Sequence, residues 1–77
     1  MKLDILSPEG TIFSGEVSLA TFPGVVGSFT VLEDHAALIS ALQPGQIVAR
    51  QEEGEKTFSI EGGFVEINDN EIAVCVQ

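Results

Sequence analysis

Between Phe58 and Val76 large apolar residues, Phe64 apart, return at every second position: Phe58 and Ile60, then Val65 and Ile67, then Ile72, Val74 and Val76. An extended chain points successive side chains to opposite faces, so this spacing gives each segment one apolar and one polar face. A helix of 3.6 residues per turn would scatter the same residues around its circumference. Three strands are therefore predicted here. Asn68, Asp69 and Asn70 form the turn between the last two. Gly62 and Gly63 mark a bulge or sharp bend, where backbone passes close to backbone or takes a positive φ.

The rest of the chain follows the same grammar. Fifteen residues are Val or Ile and four more are Thr, against six Leu and six Ala, a bias toward side chains stiff at the first torsion that favours strands. Gln46 to Arg50 reads as a strand leading through the acidic tip Glu52, Glu53, Gly54 and Glu55 into the strand at Lys56. Residues 11–22 put Phe13, Val17 and Leu19 on one face and Glu16 and Ser18 on the other, with a bulge at Gly15. Residues 2–7 form a first strand closed by the turn Ser7, Pro8, Glu9, Gly10. Ala36 to Leu42 fits two periods: Leu38, Ile39 and Leu42 share a helix face with Asp34 as cap, while Ile39 and Ala41 fit a strand, which is favoured. Seven or eight short strands with turn signals every 8 to 12 residues, and Pro-Gly pairs at 23/24 and 44/45, describe an all-β domain over residues 1–77. It is a small antiparallel β-sandwich or flattened barrel.

Size and charge narrow the functions open to such a domain. A 77-residue chain buries only about 60 to 65% of its unfolded surface, so a partner is a natural source of extra stability. Twelve carboxylates against Lys2, Lys56 and Arg50 give a net charge of −9, which repels phosphate backbones and anionic headgroups and argues against nucleic acid or direct lipid insertion. The longest apolar run, Ile72 to Val76, is far short of the roughly 20 residues a spanning helix needs. Asp4, Glu9 and Gly10 interrupt what would be a leader's apolar core. A lone Cys75 fits a reducing compartment.

No catalytic constellation is visible. The only histidine is His35 and the only thiol is Cys75, in an apolar strand run where it reads as an inert packing cysteine. Glu33, Asp34 and His35 are chain neighbours that converge poorly on one metal ion, and Gly24 and Gly27 lie between strands with no following Lys, which is no phosphate loop. Neither a metal nor a cofactor is implied. Val25, Val26 and Phe29 around those glycines are apolar side chains in a loop, read either as a docking surface or, for Phe29, as a cap on the core.

The order Ser7-Pro8-Glu9-Gly10, Phe13-Ser14-Gly15-Glu16-Val17, Pro23-Gly24 with Gly27 and Phe29, Val31-Leu32, His35-Ala36 with Leu38-Ile39, Leu42, Pro44-Gly45 and Gly62-Gly63-Phe64-Val65-Glu66 resembles the epsilon subunit of bacterial and chloroplast rotary ATP synthases, the delta subunit in mitochondria. The resemblance implies a ten-stranded β-sandwich at the foot of the rotor's central stalk, on the cytoplasmic face of the bacterial plasma membrane. It would be non-catalytic, packing on the gamma subunit and on the polar loops of the c ring. By position it implies ring-facing residues at Val25, Val26, Ser28 and Phe29, and gamma-facing residues at Ser7, His35, Ala37, Leu38 and Ser40.

The departures are as specific as the matches. The family commonly has Pro-Gly before the histidine where this chain has Glu33 and Asp34, and a carboxylate on the ring-facing loop where this chain has Ser28. Glu33 or Asp34 is accordingly expected to supply that charge from nearby, as a ring-facing residue. Family members usually continue into a helical hairpin that can inhibit hydrolysis. If Gln77 is the natural end, the resemblance is to the short form without a C-terminal helical domain, and otherwise the hairpin belongs to a longer chain. A competing reading is a biotinyl or lipoyl carrier module modified on Lys56, which follows a hairpin tip.

Overall fold

In a computed structural model describing residues 1–77, the alternation becomes nine strands and no helix. They are β1 (Lys2–Ser7), β2 (Gly10–Glu16), β3 (Leu19–Gly24), β4 (Gly27–Val31), β5 (Leu38–Leu42), β6 (Gly45–Gln51), β7 (Gly54–Ile60), β8 (Gly63–Asn68) and β9 (Glu71–Val76). The ladders run β2-β1-β9-β8-β5-β3-β6-β7, with β4 paired to β3. Every pairing is antiparallel except β1 with β9, which is parallel. Between β5 and β3 only Gly24 and Leu42 pair. At that corner the sheet folds over into two layers, β2-β1-β9-β8-β5 facing β4-β3-β6-β7.

The inward faces are those the two-residue period selects. Val65, Ile67, Ile72, Val74 and Val76 are buried, and with Leu3, Ile5, Phe22, Val31, Ile47 and Ile60 they belong to one cluster of fifteen apolar residues. The two ends of the strand path meet through side chains. The Phe13 and Phe58 rings lie 5.4 Å apart, and Gln51 Nε2 donates to the Glu16 carbonyl at 3.1 Å. This seam joins β2 to the β6–β7 hairpin without a ladder of its own.

Nine strands fit the small sandwich expected, with Leu32–Ala37 outside any ladder after β4 ends at Val31. Two expectations are corrected. Gly15 pairs in register with Leu3; the irregularity falls between Ile5 and Leu6, opposite which Ile12 is the extra residue. The stretch 11–22 breaks at Val17–Ser18, where the chain leaves β2 to cross to the other layer as β3, so the inward set becomes Val17, Ala20 and Phe22, not Leu19. At Gly63, by contrast, the predicted bend is present: φ is +151°, and a Cβ would collide with the Cys75 carbonyl.

Candidate functional site: an outward apolar row and an exposed hairpin tip

The outward face of the first layer is set by register. Antiparallel partners directly opposite each other share a face, so Ile39 lies beside Glu66, Ala41 beside Phe64, Phe64 beside Cys75, and, across the parallel ladder, Cys75 beside Leu6. Ala41, Phe64, Cys75 and Leu6 thus form an apolar row four strands wide, with Ile39 and Ala73 flanking it. Ile39 is 72% and Phe64 61% exposed. A shallow hollow of about 200 Å³ lies between them, lined by Ile39, Phe64, Val65, Glu66, Ala73 and Cys75. Large aliphatic and aromatic side chains held in water on a rigid sheet are the signature of a surface built to be covered.

A second apolar feature is the β3–β4 hairpin tip. Gly24 and Gly27 pair there, and a Cβ on Gly24 would lie 2.7 Å from the Gly27 carbonyl oxygen, so the turn can close only without a side chain at that position. The tip is tied back to β5, with the Val25 amide donating to the Ala41 carbonyl at 3.1 Å and the Gln43 amide to the Pro23 carbonyl at 2.9 Å. Val26 is 98% exposed at its apex, with Val25 and Ser28 exposed beside it. Phe29 turns inward: half-buried, its ring is 5.6 Å from that of Phe22, so it caps the core.

The residues expected to face a partner do not all gather at these features. Glu33 and Asp34 lie past the opposite end of β4 from the tip; the four extended steps from Gly27 to Val31 alone cover about 13 Å. They are therefore not beside Ser28. On β5 the outward parity belongs to Ile39 and Ala41, whereas Leu38 packs against the core and Ser40 lies opposite buried Val65. Ser7 has its hydroxyl in the β1–β2 turn, donating to the Gly10 carbonyl at 3.0 Å. His35 is half-buried with Nδ1 2.7 Å from the Ala36 carbonyl oxygen, and Ala37 is exposed beside it. Cys75, expected to pack inside, is exposed, because Val74 and Val76 take the inward places on β9. Sequence reasoning missed Phe64, Cys75, Ala73 and Leu6 as surface residues; the signal for them is the same period-two pattern read on its other face.

Residues 1–77, the whole chain, match the family described as ATP synthase, Delta/Epsilon chain, beta-sandwich domain. The chain belongs to that family. It is 42% identical over 78 residues to the ATP synthase epsilon chain of a Nitratiruptor species, covering 100% of this chain and 60% of that one. It is 41% identical to the epsilon chain of Chlorobium limicola, covering 99% of this chain and 88% of that shorter relative. The fold also matches a chain in the cryo-EM structure of the Euglena gracilis mitochondrial ATP synthase with its c ring, at a TM-score of 0.88 and 26% identity, over 96% of this chain and 48% of that one. This chain thus spans about three-fifths of the Nitratiruptor relative and about half of the Euglena chain. Membership of the delta/epsilon family leaves the carrier reading unsupported, and the geometry agrees: Lys56 lies within β7, paired with Ala49, with its Nζ 5.5 Å from the Phe13 ring centroid.

Proposed function

We propose that this domain is a non-catalytic rotor element of a proton- or sodium-translocating ATP synthase, gripped between the gamma subunit and the polar loops of the c ring at the cytoplasmic face of the bacterial plasma membrane. The observation that carries the reading is the apolar row of Ala41, Phe64, Cys75 and Leu6, with Ile39 at its side, on the outward face of a delta/epsilon-type sandwich. In this reading gamma covers that row, with Ser7, His35 and Ala37 near its rim, and the tip Val25–Val26 with Ser28 meets the ring. The work asked of such an element is to carry load between two partners, which needs stiffness and no reaction pocket. Shared ladders and an interdigitated core resist shear in the way that role requires.

Co-expression with gamma tests it. Wild-type chain is expected to co-purify with gamma, and Ile39→Glu with Phe64→Glu to abolish capture. Both side chains are mostly solvated, so the double variant should keep its fold, at a cost of about 1 kcal/mol because Ile39→Glu faces Glu66 across the ladder. Capture of the folded double variant at wild-type yield would remove the row from the interface.

A further inference from the structure

Asp34 and Asn70 are 36 positions apart in sequence and are joined by two hydrogen bonds: the Asp34 amide donates to Asn70 Oδ1 at 2.7 Å, and Asn70 Nδ2 donates to Asp34 Oδ1 at 3.1 Å. Both residues have left-handed backbones, with φ of +65° at Asp34 and +62° at Asn70. That region is costly for a residue with a Cβ and is tolerated by Asn and Asp when a local polar contact holds them. Asp34 lies in the only irregular connection longer than three residues, between β4 and β5, and Asn70 in the tight turn between β8 and β9. The Asn70 carbonyl also accepts from the Lys2 amide at 3.0 Å, which anchors the turn to β1.

We propose that Asn70 is a positioning residue for docking: it clamps the β4–β5 connection to the β8–β9 turn and so presets His35 and Ala37 for the partner. The docking half rests on the function proposed above. An isolated irregular loop would sample many shapes and lose that freedom on binding, so fixing it beforehand strengthens association without adding a contact. The stretch Leu32–His35 already closes locally as a turn, with the His35 amide donating to the Leu32 carbonyl at 3.2 Å, and the two Asn70 bonds fix where that turn sits against the β8–β9 turn. The operative contact is the Asn70 acceptor, which takes the backbone donor of the left-handed residue; the return bond from Asn70 Nδ2 adds to it.

Asn70→Gly separates the clamp from the turn, since glycine keeps the +62° backbone and removes both side-chain bonds. On the 77-residue chain alone, amide exchange at Asp34 and His35 should speed up by about tenfold or more while β8 and β9 amides keep their protection. The dissociation constant for gamma should rise about tenfold. In Asp34→Gly with Asn70→Asp the acceptor is retained and the facing carboxylates are avoided. Both readouts should therefore move back toward wild type from Asn70→Gly, short of full recovery because the return bond is lost and glycine frees the loop. Unchanged exchange at Asp34 and His35 in Asn70→Gly overturns the clamp. Faster exchange with unchanged gamma affinity overturns its role in docking. A wild-type chain that does not bind gamma overturns the docking half together with the proposed function, whereas exchange on the chain alone still decides the clamp.

Discussion

Gly63 begins β8 where two strand backbones approach too closely for any side chain. With φ at +151° and the Cys75 carbonyl in the place a Cβ would occupy, Gly63→Ala has no relaxed solution. It should destabilise the domain by about 3 kcal/mol or more, read as a lower urea midpoint with an unchanged slope. A domain of this length has only about 4 to 12 kcal/mol to lose, so the variant should approach the limit of folding. The pair Gly62-Gly63 is legible from sequence because two adjacent glycines between two alternating runs mark a break that no side chain could fill. Asp34 and Asn70 are not, because a side chain bonding a loop 36 positions away leaves no local trace. Cys75 shows a third case. Its burial preference as a residue type points inward, but the alternation of Ile72, Val74 and Val76 already assigns it outward, and on a strand parity overrides composition.

At the scale of elements, parity also explains why the strands are legible and one outward apolar face is not. In β8 and β9 the inward positions Val65, Ile67, Ile72, Val74 and Val76 alternate strictly, even though Phe64 and Cys75 share the outward face with Glu66 and Glu71. In β5 the run Leu38-Ile39 puts two large aliphatics on consecutive positions, so sequence alone gives no reason to send Leu38 in and Ile39 out. The ladder decides it, by setting Leu38 against Ile67 and Ile39 against Glu66. The closure of β2 on β7 is likewise illegible, since it depends on the Phe13 and Phe58 rings meeting across the seam. Because no backbone ladder backs that contact, Phe58→Ala should cost about 1 to 3 kcal/mol, less than the roughly 3 to 5 of a fully buried Phe. Hydrogen exchange should show β2 and β7 opening before β8 and β9. Equal acceleration in all four strands would mean that the seam is not a separable unit.

For the whole molecule, the dominant fact is a charge of −9 on 77 residues. Only three ion pairs form, two of them between side chains on the surface, Lys2 with Asp4 and Arg50 with Glu55. Most carboxylates therefore repel one another in the folded state. Added salt screens such repulsion over about 10 Å at 0.1 M. The melting temperature of the isolated domain should accordingly rise between about 0.02 M and 0.2 M sodium chloride; a fall would show that the ion pairs outweigh the repulsion. The parallel ladder of β1 with β9 has a consequence for how the domain is made. The first strand cannot gain its inner neighbour until residues 71–76 have left the ribosome, so the β1–β2 hairpin emerges early and waits with one flank bare. The ninth strand is the keystone of the slab, and a nascent chain halted before it would present an open sheet to chaperones.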